Sequence, residues 1–164
     1  MFPDHLERRA AALIALCAGR GLKIACAESC TGGLLSGLLT EIAGSSAAFE
    51  RGFVVYSNEA KQELLGVSAD TLRDYGAVSA EAARAMALGA LAHSRADLAV
   101  SITGIAGPGG GTPQKPVGLV HFACAKTGDI VETAESRYGA IGRGPIRLAA
   151  VETALGLLEA AAGS

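Results

Sequence analysis

Tryptophan is absent, and only four Phe and three Tyr stand among the 164 residues. Half of the chain is nevertheless apolar, and that half is mostly Ala, Leu, Val and Ile. Such a composition builds a core by close helix–sheet contact rather than around large aromatic blocks. No apolar run is long enough to cross a bilayer, and the first residues lack the basic segment and apolar stretch of a secretory signal. There is no basic cluster either. The net charge is −2 and the isoelectric point about 5.9, so the electrostatic footprint of a nucleic-acid binder is missing. The four cysteines, Cys17, Cys26, Cys30 and Cys124, form no C-x-x-C pair, and His5, His93 and His121 are scattered. A zinc site is therefore not expected, and no metal or cofactor is predicted. These absences leave a cytoplasmic globular protein without a nucleic-acid or membrane partner. Its length suits one domain over residues 1–164.

Glycine is plentiful, with 22 residues, many of them in turns beside strands. The stretch Ala27-Glu28-Ser29-Cys30-Thr31-Gly32-Gly33 follows an apolar run from Leu22 and precedes an amphipathic run from Leu34. It reads as strand, tight turn and helix start with hydroxyls at the turn. A hydroxyl there lies beside unpaired N–H groups able to bind an anion or stabilise an oxyanion. The structural alternative is that Ser29 or Thr31 caps the helix.

Along the rest of the chain, Asp4 and Glu7 mark a helix start. The apolar positions Leu6, Ala10, Leu13, Ile14 and Cys17 continue that helix. The near-continuous apolar strand Leu22 to Ala27 suggests burial on both faces. Phe53 to Tyr56 reads as a second strand, followed by a helix capped by Ser57 or Asn58. Ser68 opens a short turn and Ser79 caps an Ala-rich helix. Leu98 to Thr103 is a third strand. Val117 to Ala125 and Ile130 to Tyr138 form a hairpin over Thr127-Gly128-Asp129, and a final helix starts near Pro145. The order predicts an α/β fold, a three-layer α/β/α sandwich with a mixed sheet. The Ala-rich helices are expected to offer flat faces for a homo-oligomer.

In open α/β sheets ligands bind outside the carboxyl ends of the strands. Three strands here lead to Ser29, Tyr56 and Thr103, and Lys61 follows the second about a turn into its helix. Ser46 lies in the small polar loop entering that strand. Taken singly, each of these is a cap or a solvated residue. Together they outline serine–lysine amidase or esterase chemistry: a lysine whose pKa is lowered by burial replaces histidine as the base. Tyr56 or the second Ser relays the proton, and N–H groups at Cys30 or Thr31 form the oxyanion hole. The loop Gly104 to Thr112 has the glycine density of a phosphate cradle without the ending of a P-loop. Lys115 and Arg143 are candidate charges for a phosphate.

Five blocks carry a resemblance: Ala27 to Gly33, Ala43-Gly44-Ser45-Ser46, Phe53 to Lys61, Gly76-Ala77-Val78-Ser79 and Gly104-Ile105-Ala106-Gly107-Pro108. In this order they resemble the CinA C-terminal domain family, whose stand-alone members are nicotinamide-nucleotide amidases. The resemblance implies hydrolysis of the carboxamide of nicotinamide mononucleotide (NMN) to nicotinate mononucleotide and ammonia, in pyridine-nucleotide salvage, without a metal. The residues it implies are Ser29, Ser46, Tyr56 and Lys61 for catalysis. For substrate it implies Thr31, Thr103, Gly104, Gly107 and Arg143. Ser29 has the better local position as nucleophile, while Ser46 is closer in sequence to Tyr56 and Lys61. Where the family carries Gly-Asp-Arg before its last helix, this chain reads Ile141-Gly142-Arg143, which puts in question what orients the Arg. The alternative function is a non-enzymatic competence or DNA-damage protein acting through a recombination-protein partner.

Overall fold

The computed structural model describes residues 1–128 and 130–164; the predicted turn residue Asp129 lies outside them. Helix α1 (Asp4–Arg20) leads into β1 (Ile24–Glu28) and α2 (Leu34–Glu41). A 3₁₀ turn (Ser45–Ala47) precedes β2 (Phe49–Val54). Helices α3 (Asn58–Leu65), α4 (Ala69–Tyr75) and α5 (Ala80–Ala92) follow in succession. Then come β3 (Leu98–Gly104), β4 (Leu119–Lys126), β5 (Ile130–Arg137) and α6 (Arg143–Gly163).

The strands form one sheet in the order β2-β1-β3-β4-β5. Strand β1 runs parallel to β2 and β3, and the β3–β4 and β4–β5 pairs are antiparallel. This is the mixed sheet expected. Its two faces differ because large and small residues alternate along the strands. Ile24, Cys26, Leu98, Val100, Ile102, Val120 and Phe122 point to one side and pack with α1, α2 and α6. Ala25, Ala27 and Ala99 meet Met86 and Ala90 of α5 on the other, where Ala123 and Ala125 meet Ala83 and Ala87. Small residues on both partners let α5 lie close to the sheet. The Ala-rich inner face of α5 is therefore buried against the sheet.

Serine caps start the three middle helices: Ser57, Ser68 and Ser79 accept from the N–H groups of Ala60, Thr71 and Ala82. The turn expected after Ser68 is the full helix α4. The second strand starts earlier than its apolar run. It is an edge strand, so Glu50 and Arg51 lie in it while paired to each other at 2.8 Å. Helix α1 is preceded by Pro3, not capped by Asp4; Glu7 instead reaches back to accept from the N–H of Phe2 at 3.0 Å. Among the described residues no helix is long and apolar enough to cross a membrane.

One contact fixes how α5 meets α3. Gly89 lies buried in α5, and a Cβ there would collide with the carbonyl group of Leu65. Alanine at this position gains helix propensity of about 1 kcal/mol, but overpacking against backbone costs roughly 1–3 kcal/mol or more. Gly89→Ala is expected to lower the urea midpoint; a raised midpoint would show that α3 and α5 do not touch in this way.

Candidate active site

The carboxyl ends of β1, β2 and β3 share one edge of the sheet. Strand β1 lies between the other two, and the chain leaves β1 and β3 in opposite directions across the sheet. Such a switch point opens a crevice. Here it holds a cavity of about 280 Å³ whose walls include Ser29, Tyr56, Lys61, Thr103, Gly104, Gly107 and Arg143.

The turn after β1 is held by an acid that the sequence reading left without a role. Gly32 and Gly33 both have positive φ, 57° and 98°. This conformation is open to glycine, and it folds α2 back over the end of β1. The fully buried Glu28 carboxylate then meets the first turn of α2. It accepts from the N–H groups of Gly33 and Leu35 at 3.1 Å, and from the N–H and Oγ of Ser36 at 2.8 Å. The N-terminus of α2 thus already carries a negative group, which its dipole favours. Neither Ser29 nor Thr31 caps the helix. The anion site expected at that terminus is filled by the protein itself.

Ser29 is released by this arrangement for another partner. Lys61 lies about a turn into α3 and is only 1% exposed. Its Nζ donates to Ser29 Oγ at 3.0 Å, to the Val55 carbonyl at 2.9 Å and to the Tyr56 carbonyl at 3.1 Å. Burial pushes the Lys61 pKa below the ordinary lysine value, with the neighbouring Cys30 acting in the opposite direction. The geometry has a chemical consequence. A neutral amine keeps two N–H donors and one lone pair. With both donors held by the carbonyls of Val55 and Tyr56, the lone pair faces Ser29 Oγ, whose O–H then donates to it. In that state Lys61 can act as a general base on Ser29.

Around this pair, the N–H groups of Cys30 and Thr31 donate to no protein acceptor among the described residues. Thr103 lines the cavity, but its hydroxyl donates to the Ala77 carbonyl at 2.7 Å. It therefore fastens the 77–78 wall. Arg143 donates to the Gly107 carbonyl at 2.7 Å and to the Tyr56 hydroxyl at 3.3 Å. These two oxygens orient the Arg where an acidic residue before it is missing. Tyr56 is 64% exposed, and its ring stands at the mouth, so only its carbonyl reaches Lys61. Since Lys61 meets Ser29 directly, no relay is needed between them.

Three predicted side chains are elsewhere. Ser46 is exposed in the 3₁₀ turn before β2, where its carbonyl accepts from Lys23 Nζ at 3.3 Å. Because β2 is parallel to β1, with Phe49 paired to Ile24 and Val54 to Glu28, the start of β2 lies at the opposite end of the sheet from Ser29. The six residues of β2 alone span about 20 Å. Closeness in sequence to Tyr56 and Lys61 was misleading for this reason. The Thr31 side chain is fully buried and does not line the cavity, and its Oγ1 has no partner among the described residues. Lys115 donates to the Tyr75 carbonyl at 2.6 Å in a separate groove with His121, across the wall formed by Val78.

Asn58 and Arg147 were not anticipated. Asn58 lines the cavity at the start of α3. Arg147 donates to the carbonyls of Cys30 and Thr31, each at 3.0 Å. Its signal was present, four residues after Arg143 and so on the same helix face. The Cys30 side chain packs in the core, and burial raises its thiol pKa to about 11. Among the described residues no three His, Cys, Asp or Glu side chains gather as a metal site.

Comparison with known proteins places this geometry. Residues 6–162 match the family described as CinA C-terminal domain. The chain belongs to the CinA C-terminal domain family. It is 56% identical over 119 residues to a nicotinamide-nucleotide amidohydrolase PncC of Enterobacter agglomerans, an alignment covering 73% of each chain. It is 55% identical over 126 residues to a competence-damage inducible protein of Caldicellulosiruptor bescii. That match takes in 77% of this chain but 30% of the relative, so the chain spans less than a third of that longer protein. Among solved structures, the competence/damage inducible protein CihA of Agrobacterium tumefaciens superposes with a TM-score of 0.96. It is 55% identical, with 98% of this chain and 97% of that one covered. The fold and the order of its elements are those of this family.

A pH dependence of stability follows from the buried amine. The folded-state pKa of Lys61 is lowered from 10.5. Between the two values the unfolded chain holds the proton and the folded chain does not, so stability rises with pH through that window. The contribution is complete above the unfolded value and is lost as pH falls through the folded one. Comparing melting temperatures of wild type and Lys61→Met from neutral pH to pH ~10 is expected to show wild type gaining on the variant as pH rises. A constant difference would mean that Lys61 titrates normally.

Proposed function

We propose that this chain hydrolyses the carboxamide of nicotinamide mononucleotide, releasing nicotinate mononucleotide and ammonia. The observation that carries this is the 3.0 Å contact between buried Lys61 and Ser29 inside a cavity at the sheet's switch point. The likeness to nicotinamide-nucleotide amidohydrolases supports the substrate.

Ser29 Oγ attacks the carboxamide carbon while its proton passes to the Lys61 lone pair. The carbonyl electron pair moves onto oxygen, where the free N–H groups of Cys30 and Thr31 stabilise the charge. Collapse of the tetrahedral adduct breaks the C–N bond. The amide nitrogen leaves as ammonia with the proton held by Lys61, leaving an acyl-Ser29 ester. Water then attacks this ester. Lys61 takes a proton from the water and returns it to Ser29 Oγ as the nicotinate carboxylate departs. Arg143 and residues of the glycine-rich loop at 104–110 line the same cavity and are assigned to the phosphate, which a guanidinium suits. Asn58, also in the cavity wall, is assigned to the ribose or the carboxamide. The same reading makes the chain a cytoplasmic enzyme of pyridine-nucleotide salvage.

Ammonia release from NMN tests the reading. Ser29→Ala is expected to lose activity by about 10³-fold or more and Lys61→Ala by roughly 10²- to 10⁴-fold. Ser46→Ala, altered at the far end of the sheet, should match wild type. Full activity in Ser29→Ala, or none in Ser46→Ala, would contradict the assignment. The rate of the wild type should rise with pH as Lys61 loses its proton.

A further inference from the structure

We infer that Arg147 is a positioning residue that sets the oxyanion-stabilising peptide of the Ser29 turn from behind; this rests on the acyl-transfer reading of Ser29. Arg147 is half-buried on α6 and does not line the cavity. Among the described residues no carboxylate lies within ion-pair distance of it. Its side-chain hydrogen bonds go instead to two consecutive carbonyls of one turn, Nε to Cys30 and Nη2 to Thr31, each at 3.0 Å. A half-buried cation without an acid partner is met by such oxygens, and the turn that supplies them is the one that carries the Ser29 hydroxyl.

The peptide joining Cys30 to Thr31 is planar and trans, so its N–H points opposite to its C=O. A guanidinium on the Cys30 oxygen therefore holds the Thr31 N–H pointing away from Arg147 and α6. It also draws electron density from that peptide, which makes its N–H a stronger donor in a chain of hydrogen bonds. The remaining groups of the turn are committed elsewhere. Gly32 N–H donates to the Ser29 carbonyl at 3.1 Å and Leu34 N–H to the Thr31 carbonyl at 3.1 Å. Gly33, Leu35 and Ser36 N–H groups go to Glu28. The N–H groups left over are those of Cys30 and Thr31. Gly32 completes the arrangement, since a Cβ there would lie 3.3 Å from the Arg147 guanidinium.

The role is tested by acylation of Ser29 with p-nitrophenyl acetate. In that reaction the Oγ–C bond forms, nitrophenolate leaves, and the serine proton goes to Lys61. The rate is followed by nitrophenolate release and by the mass of the acetylated chain. Arg147→Met is expected to slow acylation roughly 10- to 100-fold, with Arg147→Lys between it and wild type because one hydrogen bond and the charge remain. The pH midpoint of the reaction, set by Lys61, should not move. With NMN the loss should fall on kcat and leave KM close to wild type. Millimolar guanidinium should restore part of the rate to Arg147→Ala. Should Arg147→Met not fold, Arg147→Lys carries the comparison. Acylation at the wild-type rate in the variants, or a loss accompanied by a shifted pH midpoint and a raised KM, would overturn the proposal and leave Arg147 a fold residue. A wild type inert toward NMN whose Ser29 acylation still depends on Arg147 would refute the substrate and uphold the positioning role.

Discussion

The placement of Lys61 is the constraint from which the rest of the site follows. An amine with 1% exposure must find oxygen partners, because an unpaired buried donor is costly. It finds three: two carbonyls released where β2 ends and one serine hydroxyl where β1 ends. That requirement ties α3 to two neighbouring strands and fixes Ser29 within the crevice. It also decides which protonation state is useful. The ammonium uses all three oxygens as acceptors, whereas the neutral amine leaves a lone pair for the serine proton. Burial favours the second state, and the two carbonyls keep the lone pair aimed.

The turn that carries Ser29 is braced by charge on both sides. Glu28 holds the start of α2 with four hydrogen bonds, and Arg147 holds the turn's carbonyls from α6. Both charged groups are kept from the cavity itself. Their effect is to leave the turn with one geometry and a small set of free donors, which is how preorganised electrostatic sites are built. The unequal faces of the sheet serve the same end. Helices α1, α2 and α6 stand over bulky residues on one side, so α6 delivers Arg143 and Arg147 to the edge of the site. On the other side alanines draw α5 close, and Thr103 fastens the chain before α5 as a wall.

The sequence made much of this legible. Periodicity and serine caps gave most of the helices, and the strand-end pattern drew Ser29, Lys61 and Thr103 to one edge of the sheet, although the Thr103 hydroxyl, expected to meet substrate, is bonded to the Ala77 carbonyl. Local signals failed where the answer was long-range. Ser46 is near Lys61 along the chain, but a parallel strand carries the chain the length of the sheet between them. Glu28 reaches the start of α2 only because the double positive φ at Gly32 and Gly33 folds that helix back onto it. Arg147 shares a helix face with Arg143, but no local pattern shows that its partners are carbonyls more than a hundred residues earlier. Tyr56 was credited through its hydroxyl, whereas its contribution to Lys61 comes from its backbone oxygen. The edge strand β2 is displaced from its apolar run: it begins at Phe49, takes in the paired Glu50 and Arg51, and ends at Val54, before Val55 and Tyr56.

Burial, with Nζ directed at Ser29, is expected to make Lys61 lose its proton below the ordinary lysine range, and NMR titration of ¹³Cε-labelled lysine tests this directly. The chain has few lysines, Lys23, Lys61, Lys115 and Lys126, so Lys61 is assigned by comparison with Lys61→Met. The account predicts that one resonance, absent from the variant, titrates at clearly lower pH than the other three. A Lys61 resonance that titrates together with the others would show an ammonium at working pH, and a lysine base on Ser29 would no longer stand.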